Sequence, residues 1–124
     1  MEAGLEHLSR GTGRHMSRIL AVLEPYYRSM ETASRVAALA AELGVQEVLA
    51  VSNKVRDEAD RKAIAEFCAA RGLNLIAEIP FDPSFAEAER GGMAPIDQST
   101  PGPAIKAIAS LAHRLMKEEL GRRE

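Results

Sequence analysis

Three near-continuous apolar runs alternate with stretches of helical periodicity along this chain, and the alternation limits the folds that it can adopt. The runs cover residues 18–24, 47–52 and 73–79, and they predict buried β-strands, the first of them buried on both faces. Apolar residues at helical spacing follow over residues 29–43 and from residue 57 onward, and Gly44 and Gly72 end these two stretches. Strands that alternate with helices pair in parallel through right-handed crossovers. The sequence therefore predicts an α/β fold, a partial parallel sheet of about three strands flanked by helices on both faces.

The chain is predicted to form one domain, because 124 residues with 46% hydrophobic content suit a single core. Ser29 and Asp57 are the predicted N-caps of the first two helices. In order, the predicted parts are a segment 1–17, repeated strand-helix units over 18–96 with a short helix at 83–90, a loop at 97–103, a C-terminal helix at 104–120 and a frayed end at 121–124.

Composition excludes several classes of function. The 16 Lys and Arg and 18 Asp and Glu residues are interspersed, so no nucleic-acid footprint is expected. No apolar run approaches the roughly 20 residues that span a bilayer, and the polar N-terminus predicts a cytoplasmic protein. The single cysteine, Cys68, excludes an internal disulfide and is expected to pack in the core. His7, His15 and His113 lie in separate segments, so no metal site is predicted.

Polar residues follow the second predicted strand, where Asn53-Lys54 begins a loop. Ligands of parallel sheets bind at the carboxyl ends of the strands, and a side-chain amide there can donate to and accept from an adenine edge. The alternative is that Asn53 only satisfies loop backbone. A guanine-reading Asn-Lys-x-Asp signature is also conceivable, but Arg56 holds the fourth position and Asp57 comes one residue late.

The third strand ends in Pro80-Phe81-Asp82, where a second wall of the same pocket would lie. Pro80 stiffens the backbone, and Phe81 would lie near an aromatic ligand. Asp82 is equally a candidate N-cap of the next helix, with Pro83 at its first position. The two interpretations are compatible, because a cap orders the loop that the ligand touches.

No phosphate-binding loop of the form Gly-x-x-x-x-Gly-Lys-Ser/Thr occurs in the 124 residues. The stretch 11–14, Gly-Thr-Gly-Arg, has neither the lysine nor a preceding strand. Without backbone N–H groups that hold phosphates, we expect no phosphoryl transfer by this chain alone.

Several motifs together resemble the MinD/ParA-type P-loop ATPases, most closely the carbon monoxide dehydrogenase accessory ATPases of the CooC type. They are Gly4-Leu5-Glu6-His7-Leu8 with Arg10-Gly11-Thr12, then Glu24-Pro25-Tyr26-Tyr27-Arg28-Ser29, Asn53-Lys54-Val55 and Ile79-Pro80-Phe81-Asp82-Pro83. The chain resembles only the C-terminal half of such a protein. Its residues 1–17 are similar to a switch II segment, and residues 93–96 resemble the start of a final edge strand.

The resemblance implies ATP or ADP with Mg²⁺ as the cofactor. It implies that Asn53 contacts adenine, that Pro80, Phe81 and Asp82 line the base pocket beside Asn53-Lys54, and that the Gly4 amide approaches the γ-phosphate. The family's P-loop, switch I and switch II aspartate have no counterpart in this chain. The resemblance therefore implies an adenine-nucleotide-binding ATPase for metallocentre maturation that is inactive alone, with a complementing N-terminal half and a metalloenzyme client as partners.

Two other functions stay open. An interaction module could associate through an exposed sheet edge, with a second copy in a homodimer or with another chain. A small-ligand or response-regulator-like domain is the third possibility, but no pair of aspartates ends the first strand.

Overall fold

The computed structural model describes residues 18–98 and 100–123. Its elements in chain order are β1 Arg18–Leu23, α1 Tyr27–Glu42, β2 Glu47–Val55, α2 Glu58–Arg71, β3 Asn74–Pro80, α3 Pro83–Arg90, a 3-10 turn Pro95–Asp97 and α4 Pro103–Arg123. The strands are parallel in the order β1-β2-β3. The predicted α/β fold with a parallel three-stranded sheet is confirmed. Gly4 and the switch II-like segment 1–17 lie outside the described residues.

Two apolar clusters lie on opposite faces of the sheet. One joins β1 to α1 and α2, with the fully buried Leu23 and Ile64 among its members. The other joins β2 and β3 to α4 through Val51, Ile79 and Ala104. Cys68 belongs to the first cluster at 2% exposure, as the apolar periodicity of its helix predicts.

The first strand is not buried on both faces, so that prediction is wrong. Leu20 and Val22 pair in register with Leu49 and Val51 of β2 and therefore face the same side of the sheet. Leu49 and Val51 are buried at 4% and 1% exposure, whereas Leu20 and Val22 are 38% and 46% exposed. A helix is about 10 Å wide and strands lie about 4.8 Å apart, so one helix covers about two strands. On this face α4 packs against β3, and no other helix among residues 18–98 and 100–123 covers Leu20 and Val22 of β1.

The start of the first helix also differs from the prediction. The helix begins at Tyr27 and its N-cap residue, Tyr26, makes no side-chain capping hydrogen bond. Ser29 is therefore inside the first turn, where its Oγ accepts a hydrogen bond from the Glu24 N–H at 2.9 Å. Pro25 cannot continue the strand, so the chain turns after β1. The Ser29 hydroxyl stabilises this turn through its bond to the Glu24 N–H. The predicted caps Asp57 and Asp82 are confirmed by their bonds to the Asp60 and Ser84 N–H groups.

Residues 93–96 do not form the expected edge strand. The chain leaves α3 through Gly92, whose φ is 69°, and the Met93 N–H bonds back to the Ala88 carbonyl at 2.8 Å. Pro95, which has no N–H to offer a strand partner, then begins the 3-10 turn. The last helix is also longer than predicted, since it continues to Arg123 instead of fraying from residue 121.

Among residues 18–98 and 100–123, no helix has the length and apolar character needed to cross a membrane. The same part of the chain contains no cluster of three or more His, Cys, Asp or Glu side chains able to hold a metal ion.

Candidate functional site

One pocket of about 330 Å³ lies at the carboxyl ends of β2 and β3, and it brings together five predicted site residues. Its volume falls at the low end of the range of about 300–1,000 Å³ that ligand pockets occupy. The lining residues are Asn53, Lys54, Pro80, Phe81, Asp82, Phe85, Ala86, Glu89 and Ala104. Parallel pairing of β2 with β3 explains the meeting of the first five, because both strands end at the same edge. The sixth predicted residue, Gly4, is outside the described residues.

Four of the lining residues were missed by sequence reasoning. Phe85, Ala86 and Glu89 come from α3, and their spacing of three and four residues places them on one helical face. That periodicity was visible in the sequence, but an eight-residue helix presents too few turns to show which face meets a pocket. Ala104 belongs to α4, and nothing local in the sequence indicates that this helix begins beside β3.

The Asn53 side chain is half-buried at the end of β2. Its amide makes no hydrogen bond to any residue that the structure describes. Its neighbour Ser52, by contrast, is 2% exposed and donates its hydroxyl to the Ala77 carbonyl at 3.4 Å. The alternative that Asn53 satisfies loop backbone therefore finds no support within residues 18–98 and 100–123.

Phe81 is one of two phenylalanines that line the pocket, with Phe85. Its N–H donates to the Val55 carbonyl at 2.8 Å, which holds the start of the loop against the end of β2. The Phe81 side chain nevertheless remains 49% exposed. An aromatic side chain on a fixed backbone, next to a rigid proline, is suited to stacking against a planar ring.

Asp82 lines the pocket, but its carboxylate is engaged in holding two helices. Oδ1 accepts from the Ser84 N–H at 3.0 Å and the Ser84 hydroxyl at 2.7 Å, which caps α3. Oδ2 accepts from the Ala104 N–H at 3.2 Å, which caps α4. These bonds, led by the Ser84 side chain, lower the pKa of Asp82. Asp82 therefore shapes the pocket by fixing α3 and α4 beside β3.

Gly102 is the residue that allows α4 to start so close to this carboxylate. A Cβ added to Gly102 would overlap the Asp82 carboxylate and would lie 3.1 Å from the Ser84 Oγ. Only a residue without a side chain fits there, since the carboxylate is fixed by its bonds to both helices.

The carboxylate needed for guanine reading is engaged elsewhere. Asp57 caps α2 by accepting the Asp60 N–H at 2.9 Å. Arg56 turns to Asp60 as well, with Nε 3.0 Å from Oδ2. Because neither residue lines the pocket, the arrangement does not support the guanine alternative.

Lys54 has a left-handed backbone conformation and forms an ion pair with Glu24. Its φ is 57°, in the left-handed region, and its Nζ lies 2.8 Å from Oε1 of Glu24 at the end of β1. The hydrogen bond that the Lys54 ammonium donates to Glu24 is the main cause of a raised pKa for Lys54. The ion pair thus connects the ends of β1 and β2 at the edge of the pocket.

Known proteins resemble this chain over most of its length. The carbon monoxide dehydrogenase accessory protein CooC of Rhodospirillum rubrum is 34% identical over 98% of this chain and 43% of its own length. An uncharacterized ATP-binding protein of Methanocaldococcus jannaschii is 30% identical over 95% of this chain and 47% of its own length. The chain thus spans less than half the length of these two relatives. No protein-family model matches it.

Among solved structures, the MinD cell division protein of Aquifex aeolicus has the same fold. The two superpose with a TM-score of 0.65 at 23% identity, covering 81% of this chain and 44% of MinD. MinD in its complex with MinC from the same organism also matches, over 82% of this chain and 43% of that one. The resemblance inferred from the strand-end motifs, to CooC-type proteins and to MinD, is confirmed: over nearly its whole length this chain is similar in sequence to part of CooC, and most of it has the fold of part of MinD.

Proposed function

We propose that this chain provides the adenine-reading part of the ATP site of a CooC-like ATPase that takes part in metallocentre maturation. The pocket at the ends of β2 and β3 carries the proposal, because the Asn53 amide, which bonds to none of the described residues, lies there together with the exposed ring of Phe81. An adenine edge offers one acceptor and one donor side by side, which a side-chain amide can match. The aromatic ring would stack on the base.

The phosphates and Mg²⁺ are assigned to other parts of the protein. The described residues contain no carboxylate cluster for a metal, and the Asp82 carboxylate already bonds two helices, so no step is assigned to a metal on these residues. A P-loop from an N-terminal half, with Gly4 approaching the γ-phosphate, would complete the site. In this proposal the chain alone does not hydrolyse ATP, and it acts in the cytoplasm. The name of the Rhodospirillum rubrum relative, an accessory protein of carbon monoxide dehydrogenase, supports a metalloenzyme client.

An NMR titration with adenosine and guanosine tests base reading separately from phosphate binding. At about 0.3 kcal/mol per non-hydrogen atom, adenosine should bind with a Kd on the order of 0.1 mM. Guanosine should bind at least about tenfold more weakly, since one mismatched polar pair weakens binding by that order. Equal affinity for the two nucleosides, or no adenosine binding, would refute base reading.

The variant Asn53→Ala should reduce adenosine affinity about tenfold. Asn74→Ala is the matched control, because Asn74 is exposed at the opposite, amino end of β3. It should leave affinity unchanged. A separate titration with ATP and Mg²⁺ tests the division of the site: affinity far above that of adenosine would mean that this chain holds the phosphates itself.

The exposed face of β1 favours a second function, an interaction module. Within the described residues β1 lies at one edge of the sheet, and Leu20 and Val22 are exposed on one face. Natural edge strands are usually protected by a charge, a proline or a bulge, but residues 19–23 contain no charged residue and no proline. A strand from a complementing N-terminal half, or from a second copy, would pair with this edge.

Sedimentation tests this second function. Val22→Lys should abolish self-association or binding to the N-terminal half of a CooC-type relative, because it places a charge on the uncovered face. Ile96→Lys is the control, since Ile96 is 73% exposed in the 3-10 turn away from β1. A wild-type chain that stays monomeric and binds no such half would contradict the interaction module.

A further inference from the structure

Lys54 is the single non-glycine residue with a positive φ among residues 18–98 and 100–123. The left-handed conformation is unfavourable for a residue with a Cβ, by roughly 1–2 kcal/mol, and it persists only where the surrounding structure enforces it. Such residues concentrate at binding sites, and Lys54 lines the candidate pocket directly after Asn53.

The left-handed residue changes how the end of β2 runs. The pairing of β2 with β3 shifts register between Ser52 and Val55, so the ladder is irregular at Asn53 and Lys54. A residue in a regular strand alternates between the two faces of the sheet, and an irregularity redirects it. The ladder resumes at Val55, which pairs with Pro80 and accepts the Phe81 N–H at 2.8 Å.

We propose that Lys54 is a positioning residue, whose left-handed backbone directs the Asn53 amide into the pocket and whose ion pair with Glu24 holds that conformation. The inference rests on the proposed function, since Asn53 is taken to read the base. The ammonium contacts Glu24 at 2.8 Å and is therefore engaged with β1. Lys54 acts on the base through its backbone and not through a contact of its own.

The Glu24 end of the pair is itself fixed. The Glu24 N–H donates to the Ser29 Oγ at 2.9 Å, and Pro25 follows at once, so the carboxylate projects from a closed turn. The side chain of Glu24 is 28% exposed and that of Lys54 56% exposed. A half-exposed pair is weak by itself, but it needs only to bias one residue between two backbone conformations.

The test compares variants of the 124-residue chain by adenosine titration and by the side-chain amide NMR signals of Asn53 without ligand. Lys54→Gly tolerates a positive φ, so it should lose no more than about two- to fivefold in affinity and keep the Asn53 signals. Lys54→Val strongly disfavours that φ, so it should lose about tenfold or more and shift the signals. The preference for adenosine over guanosine should likewise fall little in Lys54→Gly and more in Lys54→Val.

Glu24→Gln should weaken adenosine binding when residue 54 is lysine and have no effect together with Lys54→Gly, because glycine does not need the anchor. Lys62→Val is the charge control, since Lys62 is an exposed lysine 3.9 Å from Glu66 on α2. Equal losses in Lys54→Gly and Lys54→Val, or unchanged Asn53 signals in Lys54→Val, would overturn the proposal. If the wild-type chain binds no adenosine, the proposed function fails, while the Asn53 signals still decide whether Lys54 orients that amide.

Discussion

Replacing Gly102 with alanine should destabilise the chain through a single methyl group. The added Cβ would overlap the Asp82 carboxylate and lie 3.1 Å from the Ser84 Oγ. The carboxylate has no free direction in which to move, because its two oxygens bond the N-termini of α3 and α4. Overpacking costs about 1–3 kcal/mol and a lost helix cap about 0.5–2 kcal/mol. We therefore expect Gly102→Ala to lower the free energy of unfolding by about 2–4 kcal/mol.

Urea unfolding followed by far-UV circular dichroism measures this loss, and Tm should fall by on the order of 10 °C. Gly121→Ala is the matched control, because Gly121 lies within α4 and a Cβ there meets nothing within 4 Å. That control should be neutral or stabilising by at most about 1 kcal/mol, since alanine favours helix. The same substitution should therefore destabilise the chain at residue 102 and not at residue 121.

A double variant identifies the cause. Gly102→Ala should cost less when combined with Asp82→Ala, because the shorter side chain removes the clash, and such coupling is expected for groups in contact. Unchanged stability in Gly102→Ala, or a cost that is the same with and without Asp82, would refute the close approach of α4 to this carboxylate.

Three further outcomes are expected. The Ser84 side chain is the main cause of the lowered pKa of Asp82 in the folded chain. The ionised carboxylate therefore stabilises the fold fully above the unfolded pKa, and this contribution is lost as pH falls through the folded pKa. In Asp82→Asn, the free energy of unfolding measured with urea should accordingly fall less steeply at acid pH. Burial raises the pKa of the Cys68 thiol, so thiol-reactive dyes should label it slowly until urea unfolds the chain. Ile64→Ala, at 1% exposure, should cost about 2–5 kcal/mol of unfolding free energy, whereas Ile96→Ala, at 73% exposure, should change it by about 0.5 kcal/mol or less.

The strand-end residues could be predicted because their information is local. Each apolar run marks a strand, and parallel pairing then places the ends of consecutive strands at one edge. Asn53 and Phe81 are 28 positions apart in the sequence, yet they line one pocket for this reason. The caps Asp57 and Asp82 were also predictable, because a cap bonds to an N–H two or three residues ahead.

Other features required the packing of distant segments. The bond from Asp82 to Ala104 connects residues 22 positions apart, and no periodicity predicts it. Ser29 was mistaken for a cap because the sequence does not reveal that its hydroxyl accepts the Glu24 N–H. The prediction of a strand at residues 93–96 was wrong because Gly92 and Pro95 direct the chain into a turn. That prediction came from the resemblance to a family and did not take these two residues into account.

The sequence by itself determined the α/β units, the parallel sheet and the edge at which the candidate site residues gather, because hydrophobic periodicity and helix caps act over a few residues. Only the tertiary structure decided that α3 and α4 close the pocket, that Leu20 and Val22 of β1 are exposed rather than buried, and that Lys54 takes a left-handed backbone. The first two features depend on how much of the sheet a helix can cover, which is set by helix width and strand spacing. The third depends on bonds between residues that are distant in the sequence, and these form only when the chain packs.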